Sequence, residues 1–364
     1  MSLAYDVIPV TIVTGFLGSG KSTLLADVLK GDAARDTALL VNEFGEVGLD
    51  HLLIGEVETE TVLLDNGCVC CAIRGELKDA LASLFSRRVR GEVPPFSRLV
   101  LETTGLATPA PIVATLLGDR VVSSHYSISA IVTVVDSVHA VRQRAQYPEW
   151  LAQVTAADRI IISKTDLVDE NALDTLHESL ARLNPAAHIA HRTRADGAAV
   201  VLAPATNAHD FADFVRRTGM HDARTAKDDA AALANPLARL DATATHHDGF
   251  ASLDAFCMEF EEPVDWAVFT LWFTLLLSRH GDSIPRVKGL LALAGATRPV
   301  VLHAVHHLVH PVLHLDAWPG SIHDDPADMH KSRLVFIVQG LSRDAVVDSY
   351  RRFRRHLHTA ETIR

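Results

Sequence analysis

The sequence predicts an α/β chain, with a larger N-terminal domain on a mostly parallel sheet and a smaller α+β C-terminal domain. Three observations carry this expectation. Apolar, β-branched runs alternate with stretches of helical periodicity. A Gly-rich turn links the first such run to the first helical stretch, and a segment without apolar period separates the two halves. With 364 residues and 48% hydrophobic content, the chain has enough material for a large core split between two domains.

Residues 7–14 form the first apolar strand. Gly15-Phe16-Leu17-Gly18-Ser19-Gly20-Lys21-Ser22 follows and fits G-x-x-x-x-G-K-[ST], the phosphate-cradling P-loop. Leu24, Leu25, Val28 and Leu29 then recur at helical spacing. Gly15, Gly18 and Gly20 let the backbone turn its N–H groups toward phosphate oxygens, and the positive end of the helix reinforces that anion site. Lys21 is expected to reach the β- and γ-phosphates, and Ser22 to place its hydroxyl on Mg²⁺.

Further strands are expected near 37–42, 97–102, 128–135 and 158–163. Helical stripes run through Ile73, Leu77, Leu81, Leu84 and Phe85, and through Leu173, Leu176, Leu180 and Leu183 after an Asp169 cap. Residues 219–245 are Ala/Asp-rich, contain Asn235-Pro236 and read as a linker between domains at 1–218 and 246–364. In the second domain we expect a strand near 249–260, a helix over 264–279, and strands near 288–294, 299–309 and 333–338. A closing helix carries Val346, Tyr350, Phe353 and Leu357 on one face.

The strand 97–102 ends in Glu102, where a P-loop protein holds Mg²⁺ through a carboxylate, and Gly105 after it can donate its N–H to a γ-phosphate. Ser163-Lys164-Thr165-Asp166 ends another strand as a variant of N-K-x-D. Asp166 can accept two hydrogen bonds from guanine N1 and N2, which adenine cannot match, and the Lys164 stem can cover the base. The order of these motifs is that of a GTPase. Between P-loop and Glu102 stands Cys68-Val69-Cys70-Cys71, which can supply most of a tetrahedral Zn²⁺ shell or a thiolate site for another first-row metal. A further ligand must come from elsewhere, and Glu43 in Asn42-Glu43-Phe44-Gly45-Glu46 is the obvious donor. A redox dithiol is the rival reading of the cysteines.

A net charge of −11 argues against nucleic-acid binding. No signal pattern opens the chain, and the apolar stretch 266–277 is too short to span a bilayer, so a cytoplasmic protein without membrane contact is expected. In a reducing compartment, clustered cysteines serve as metal ligands or redox groups more often than as disulfides. No oligomeric state follows from these features.

Residues 15–23, Asn42-Glu43-Phe44-Gly45-Glu46-Val47, Asn66-Gly67-Cys68-Val69-Cys70-Cys71, Glu102-Thr103-Thr104-Gly105-Leu106 and Ser163-Lys164-Thr165-Asp166 together resemble the CobW-like P-loop GTPases. Arg286-Val287-Lys288-Gly289, Trp318-Pro319 and the run 332–337 are similar to that family's C-terminal domain. The resemblance implies nucleotide contacts from Gly15, Gly18, Ser19, Gly20, Lys21, Ser22, Thr23, Lys164 and Asp166. It also implies metal binding by Cys68, Cys70 and Cys71, and a role in delivering metal to a client metalloprotein. Zn²⁺ is the expected cargo, with cobalt or iron insertion, as for cobalamin synthesis or nitrile hydratase, as the alternative. Two departures stand out: Ser163 replaces the usual Asn, and no long His run lies between the domains.

Histidine is abundant, at 20 residues, and His303, His306, His307, His310 and His314 crowd one segment. On a continuous strand over 300–309, His303 and His307 would share one face and His306 and His310 the other. A half-exposed strand is the expectation there, ahead of an auxiliary metal-capture surface. Arg351-Arg352-Phe353-Arg354-Arg355 reads as a solvated helix face. The expected function is a GTPase whose cycle governs binding and delivery of a transition metal. An ATP-using P-loop enzyme and a thiol redox switch are the other classes considered.

Overall fold

The computed structural model describes residues 7–42, 61–63, 71–192, 197–204, 253–319 and 331–361. The chain divides into two compact units, one comprising Met1–Glu178 and Ala187–Asn207, the other Ser179–Ala186 and Ala208–Arg364. The expected linker, 219–245, lies outside the described residues.

The first unit is built on seven strands: β1 (Ile8–Thr14), β2 (Thr37–Asn42), β3 (Thr61–Leu63), β4 (Arg98–Thr103), β5 (Tyr126–Asp136), β6 (Arg159–Ser163) and β7 (His188–His191). They form one sheet in the order β3-β2-β4-β1-β5-β6-β7, and every pairing is parallel. Parallel neighbours need crossovers, which here include α1 (Lys21–Leu29), α2 (Cys71–Arg90), α3 (Pro109–Gly118), α4 (Arg120–His125), α5 (Ala140–Gln146), α6 (Pro148–Ala156) and α7 (Glu170–Leu183); α8 (Gly197–Leu202) follows β7. Both sheet faces are therefore covered, and the central strands read as continuous apolar runs because neither face meets water. Leu24, Leu25 and Val28 of α1 and Val201 of α8 pack with Val13, Val100, Val132 and Ile161 in one buried cluster. Helix α7 starts as its sequence indicates, with the Ala172 amide donating to the Asp169 carboxylate at 2.8 Å.

The consequence for function lies at one edge. Because β1 to β6 run parallel, the segments that follow them all emerge at the carboxyl ends of the strands. The strand order makes β1 and β4 neighbours, with Val13 beside Glu102. It also makes β5 and β6 neighbours, with Asp136 beside Ser163. Such an edge is where open α/β sheets bind ligands.

The second unit is antiparallel. Strands β8 (Leu253–Phe260), β9 (Arg286–Leu291), β10 (Val300–Val305), β11 (Leu308–Val309), β12 (Leu313–His314) and β13 (Ser332–Gln339) form a sheet ordered β11-β10-β9-β13-β8, with β12 pairing β10. Helices α9 (Trp266–His280) and α10 (Arg343–Glu361) complete the described part. Phe269, Trp272, Phe273 and Tyr350 from the helices meet Met258, Phe260, Val287, Leu334 and Phe336 from the strands. The Asp265 carboxylate caps α9 by accepting from the Val268 amide at 3.0 Å, and the Trp272 indole donates to Ser349 Oγ at 2.9 Å, tying α9 to α10. The arginines of α10 are exposed as expected, Arg351 beside Asp348 and Arg354 paired with Glu262.

The histidine segment corrects its reading. The expected continuous strand over 299–309 is a hairpin: β10 ends at Val305, pairs with Leu308, and turns through His306 at a φ of 52°. The reversal brings the His303 and His310 rings to 5.9 Å, and sends His306 and His307 elsewhere. His306 Nδ1 lies 3.2 Å from the Gly281 carbonyl, while His307 Nε2 lies 2.9 Å from the Asp282 carboxylate. A strand alternation therefore does not describe these rings. Among the described residues, no group of three or more His, Cys, Asp or Glu is placed to hold a metal ion.

Candidate nucleotide and metal site

Beyond β1, the chain passes so close to β5 that only glycine fits. A Cβ on Gly15 would lie 2.3 Å from the Val134 carbonyl oxygen, and its φ of 142° is one that other residues rarely adopt. The loop closes with the Ser19 amide donating to the Phe16 carbonyl at 3.1 Å, and Gly20, at φ 92°, caps α1. Loop amides followed by a helix N-terminus form a site for phosphate oxygens.

Lys21 is buried and donates from Nζ to the carbonyls of Gly15 at 2.9 Å and Phe16 at 3.4 Å. Its charge is thus held within the loop that would bind phosphates. Ser22, next on the first turn of α1, donates from Oγ to Glu102 Oε1 at 2.9 Å across 80 residues of sequence. A hydroxyl beside a buried carboxylate is an oxygen pair that suits Mg²⁺, whose remaining positions phosphate and water would fill. Thr103 Oγ1 donates to Thr14 Oγ1 at 2.9 Å and locks β4 to β1 at this point.

Gly105 lies against the loop: a Cβ there would stand 2.6 Å from the Leu17 amide nitrogen. The Gln153 side chain of α6 donates to the carbonyls of Gly105 at 3.1 Å and Ala107 at 2.9 Å, holding this segment. Leu106 and Leu17 are both exposed and apolar, so neither offers a group to orient a hydrolytic water.

At the end of β6, Ser163 has a role that its sequence position does not suggest. Its hydroxyl donates to the Ser19 carbonyl at 2.6 Å, fastening the P-loop to the neighbouring motif. Lys164 adopts a left-handed conformation, φ 56°, and its ammonium donates to Asp136 Oδ2 at 2.6 Å. Asp166 follows in an exposed 3₁₀ turn. Burial pushes the Asp136 carboxyl up, but hydrogen bonds from Lys164, His139 and the Val138 amide outweigh it and hold the group below the ordinary aspartate range. Near the loop, Arg192 pairs with Asp27 of α1 at 2.6 Å. Asp136, Gln153 and Arg192 were not among the expected site residues. For Asp136 a signal existed, since Val134-Val135-Asp136 is an apolar strand ending in an acid, as the strand before Glu102 is.

Glu43, Cys68 and Cys70 lie outside the described residues, and Cys71 is described only as the first residue of α2. Topology nonetheless bears on them. β2 ends at Asn42, in register with Thr103, and Val41 pairs with Leu63 of β3. β2 and β3 therefore end at the edge where Glu102 stands, and in sequence Glu43 follows β2 and Cys68 follows β3. Three thiols and a carboxylate are a donor set that Zn²⁺ accepts.

Residues 9–191 match the family model described as CobW/HypB/UreG, nucleotide-binding domain, and residues 253–354 match the cobalamin synthesis protein cobW C-terminal domain. The chain belongs to the CobW family. Its relatives include the zinc chaperone YjiA of Escherichia coli K12, 42% identical over 189 residues that cover 52% of this chain and 58% of YjiA. The zinc-regulated GTPase metalloprotein activator 1 of Schizosaccharomyces pombe is 34% identical, with 52% of this chain and 46% of the relative covered. For the zinc chaperone CobW of Pseudomonas aeruginosa the identity is 33%, covering 50% and 55%. The chain thus spans about half the length of the curated relatives it matches. The crystal structure of Zn(II)-bound YjiA GTPase from E. coli superposes with a TM-score of 0.60 at 25% identity, covering 96% of this chain and 99% of that one. No helix among the described residues of this CobW-family protein is long and apolar enough to cross a membrane.

Proposed function

We propose that this CobW-family protein is a GTP-hydrolysing metallochaperone that binds Zn²⁺ through Cys68, Cys70, Cys71 and Glu43 and delivers it to a client metalloprotein under control of the nucleotide cycle. The observation that carries the reading is the Ser22–Glu102 pair beside the P-loop, at the edge where β2 and β3 end, the strands that precede Glu43 and the cysteines in sequence. Lys21 and the loop amides would hold the β- and γ-phosphates, Ser22 and Glu102 would hold Mg²⁺, and Gly105 would donate its N–H to the γ-phosphate. Asp166 would read guanine N1 and N2, with the Lys164 stem along the base. Relatives named as zinc chaperones and as a zinc-regulated GTPase support zinc and GTP together.

Base selectivity tests the nucleotide half. A site built to pair with guanine's donors rejects a base lacking them by orders of magnitude, because its polar groups are left unmatched. GTP is expected to displace a fluorescent GDP analogue at far lower concentration than ATP. Equal competition by the two would refute the GTPase reading and leave an ATP-using P-loop enzyme in its place.

A further inference from the structure

The carboxyl ends of β5 and β6 grip one another through three contacts that the nucleotide reading does not use. The Ser137 amide donates to the Ser163 carbonyl at 3.1 Å, Ser137 Oγ donates to the Lys164 carbonyl at 2.9 Å, and the Lys164 ammonium donates to Asp136 at 2.6 Å. Asp136 is itself fixed. Its Oδ1 accepts from the Val138 amide at 2.9 Å and the His139 amide at 3.3 Å, and its Oδ2 lies 2.9 Å from His139 Nδ1. Only 2% of its side chain is exposed, against 33% for Lys164, so a rigid buried anion holds the head of a half-exposed lysine.

A free lysine side chain loses rotamer entropy when it is immobilised. A left-handed backbone at a non-glycine residue adds a conformational cost. Both costs, if met on folding, need not be met when a base arrives, which is how preorganisation raises affinity. We propose that Asp136 is a positioning residue for nucleobase recognition, holding the Lys164 ammonium so that the lysine's carbon stem forms one wall of the base site and the turn bearing Asp166 is set in place. The inference rests on the reading of 163–166 as the base-recognition segment.

The stem contacts the base and the charge holds the stem, so the two residues act as one unit and a double-variant cycle tests them. Asp136→Asn keeps an oxygen for the Val138 amide but leaves the ammonium without its anion, so GDP affinity is expected to fall about tenfold. Inorganic tripolyphosphate, which has no base, should compete with fluorescent GDP as well as it does in the wild type. Lys164→Met removes the ammonium that Asp136 holds, so in that background Asp136→Asn is expected to cost less than about threefold further: the two losses overlap instead of multiplying. Losses that multiply in the double variant, or a parallel loss of tripolyphosphate affinity, would overturn the assignment. Lys164→Met alone gives a second readout that does not require Asp136→Asn to fold: it should lose about tenfold in GDP affinity and none in tripolyphosphate affinity, and an unchanged GDP affinity would also overturn the assignment. If ADP displaces the probe from wild-type protein as well as GDP does, the guanine reading fails and this inference with it. A guanine-selective wild type in which the two losses multiply removes only the role of Asp136.

Discussion

At the scale of single residues, the P-loop contains two kinds of constraint that mutation separates. Lys21, the first residue of α1, brings its charge back over the loop and donates to the carbonyls of Gly15 and Phe16, contacts that phosphates would compete for in the proposed site. Gly15 is there because nothing larger fits, at 2.3 Å from the Val134 carbonyl oxygen. Lys21→Ala is therefore expected to fold, to lose about 1 kcal/mol of stability through the missing hydrogen bonds, and to release no phosphate from GTP. Gly15→Ala should instead cost about 3 kcal/mol or more in stability, through backbone strain and overlap with β5. Thermal unfolding and phosphate release on the two variants check both statements. Normal turnover in folded Lys21→Ala would remove this loop from the chemistry.

At the scale of elements, the long parallel strands were legible because each is an apolar run bounded by turn residues, and β1, β2, β4, β5 and β6 fall where they are expected. β3 and β7 were not, being three and four residues long and too short to show a period. The site was legible where one motif carries its own chemistry, as at Lys21 and Ser22. It was hidden where meaning depends on a distant partner: the Ser163 hydroxyl acquires a role only once the Ser19 carbonyl is beside it, 144 residues away. The β10–β11 hairpin was missed for a third reason. Its turn is His306-His307, with no Gly, Asn or Pro to announce a positive φ.

That turn has a pH consequence. Burial is the main influence on the His306 imidazole and lowers its pKa below 6.5, with the neighbouring His307 adding to the effect and the Gly281 carbonyl opposing it. The folded state then binds this proton less readily than the unfolded chain does. Stability from this group is complete above the unfolded value near 6.5, and declines as pH falls from there toward the lowered folded value. The melting temperature should therefore drop between pH 7.5 and 5.5. His306→Asn, which tolerates the left-handed turn and does not titrate, should show a smaller drop. Identical drops in the two proteins would mean that other groups set the acid sensitivity.

At the scale of the whole molecule, the parallel sheet makes one edge serve both halves of the proposed function. β1 continues into the P-loop and β4, which carries Glu102, into Gly105, while β2, beside β4, and β3, beside β2, precede Glu43 and the cysteines in sequence. In the proposed cycle, a rearrangement that a γ-phosphate imposes on the loops of that edge would be felt at the proposed metal ligands as well, as in nucleotide-dependent switches elsewhere. Linkage then fixes the form of the result. If GTP with Mg²⁺ tightens metal binding relative to GDP, the metal must favour GTP by the same factor, and a coupling of about 1 to 3 kcal/mol corresponds to roughly fivefold to 150-fold. Competitive chelator titrations with Zn²⁺, in a non-hydrolysable GTP analogue and in GDP, measure one side of the cycle; nucleotide titrations with and without Zn²⁺ measure the other. Replacing Cys68, Cys70 and Cys71 with Ala should abolish the coupling and leave GDP affinity intact, because the proposed phosphate and base contacts lie in the loops after β1, β4 and β6 and on the first turn of α1. Equal zinc affinity in the two nucleotide states would reduce the protein to a nucleotide site and a thiolate site without communication, and delivery under GTP control would be excluded.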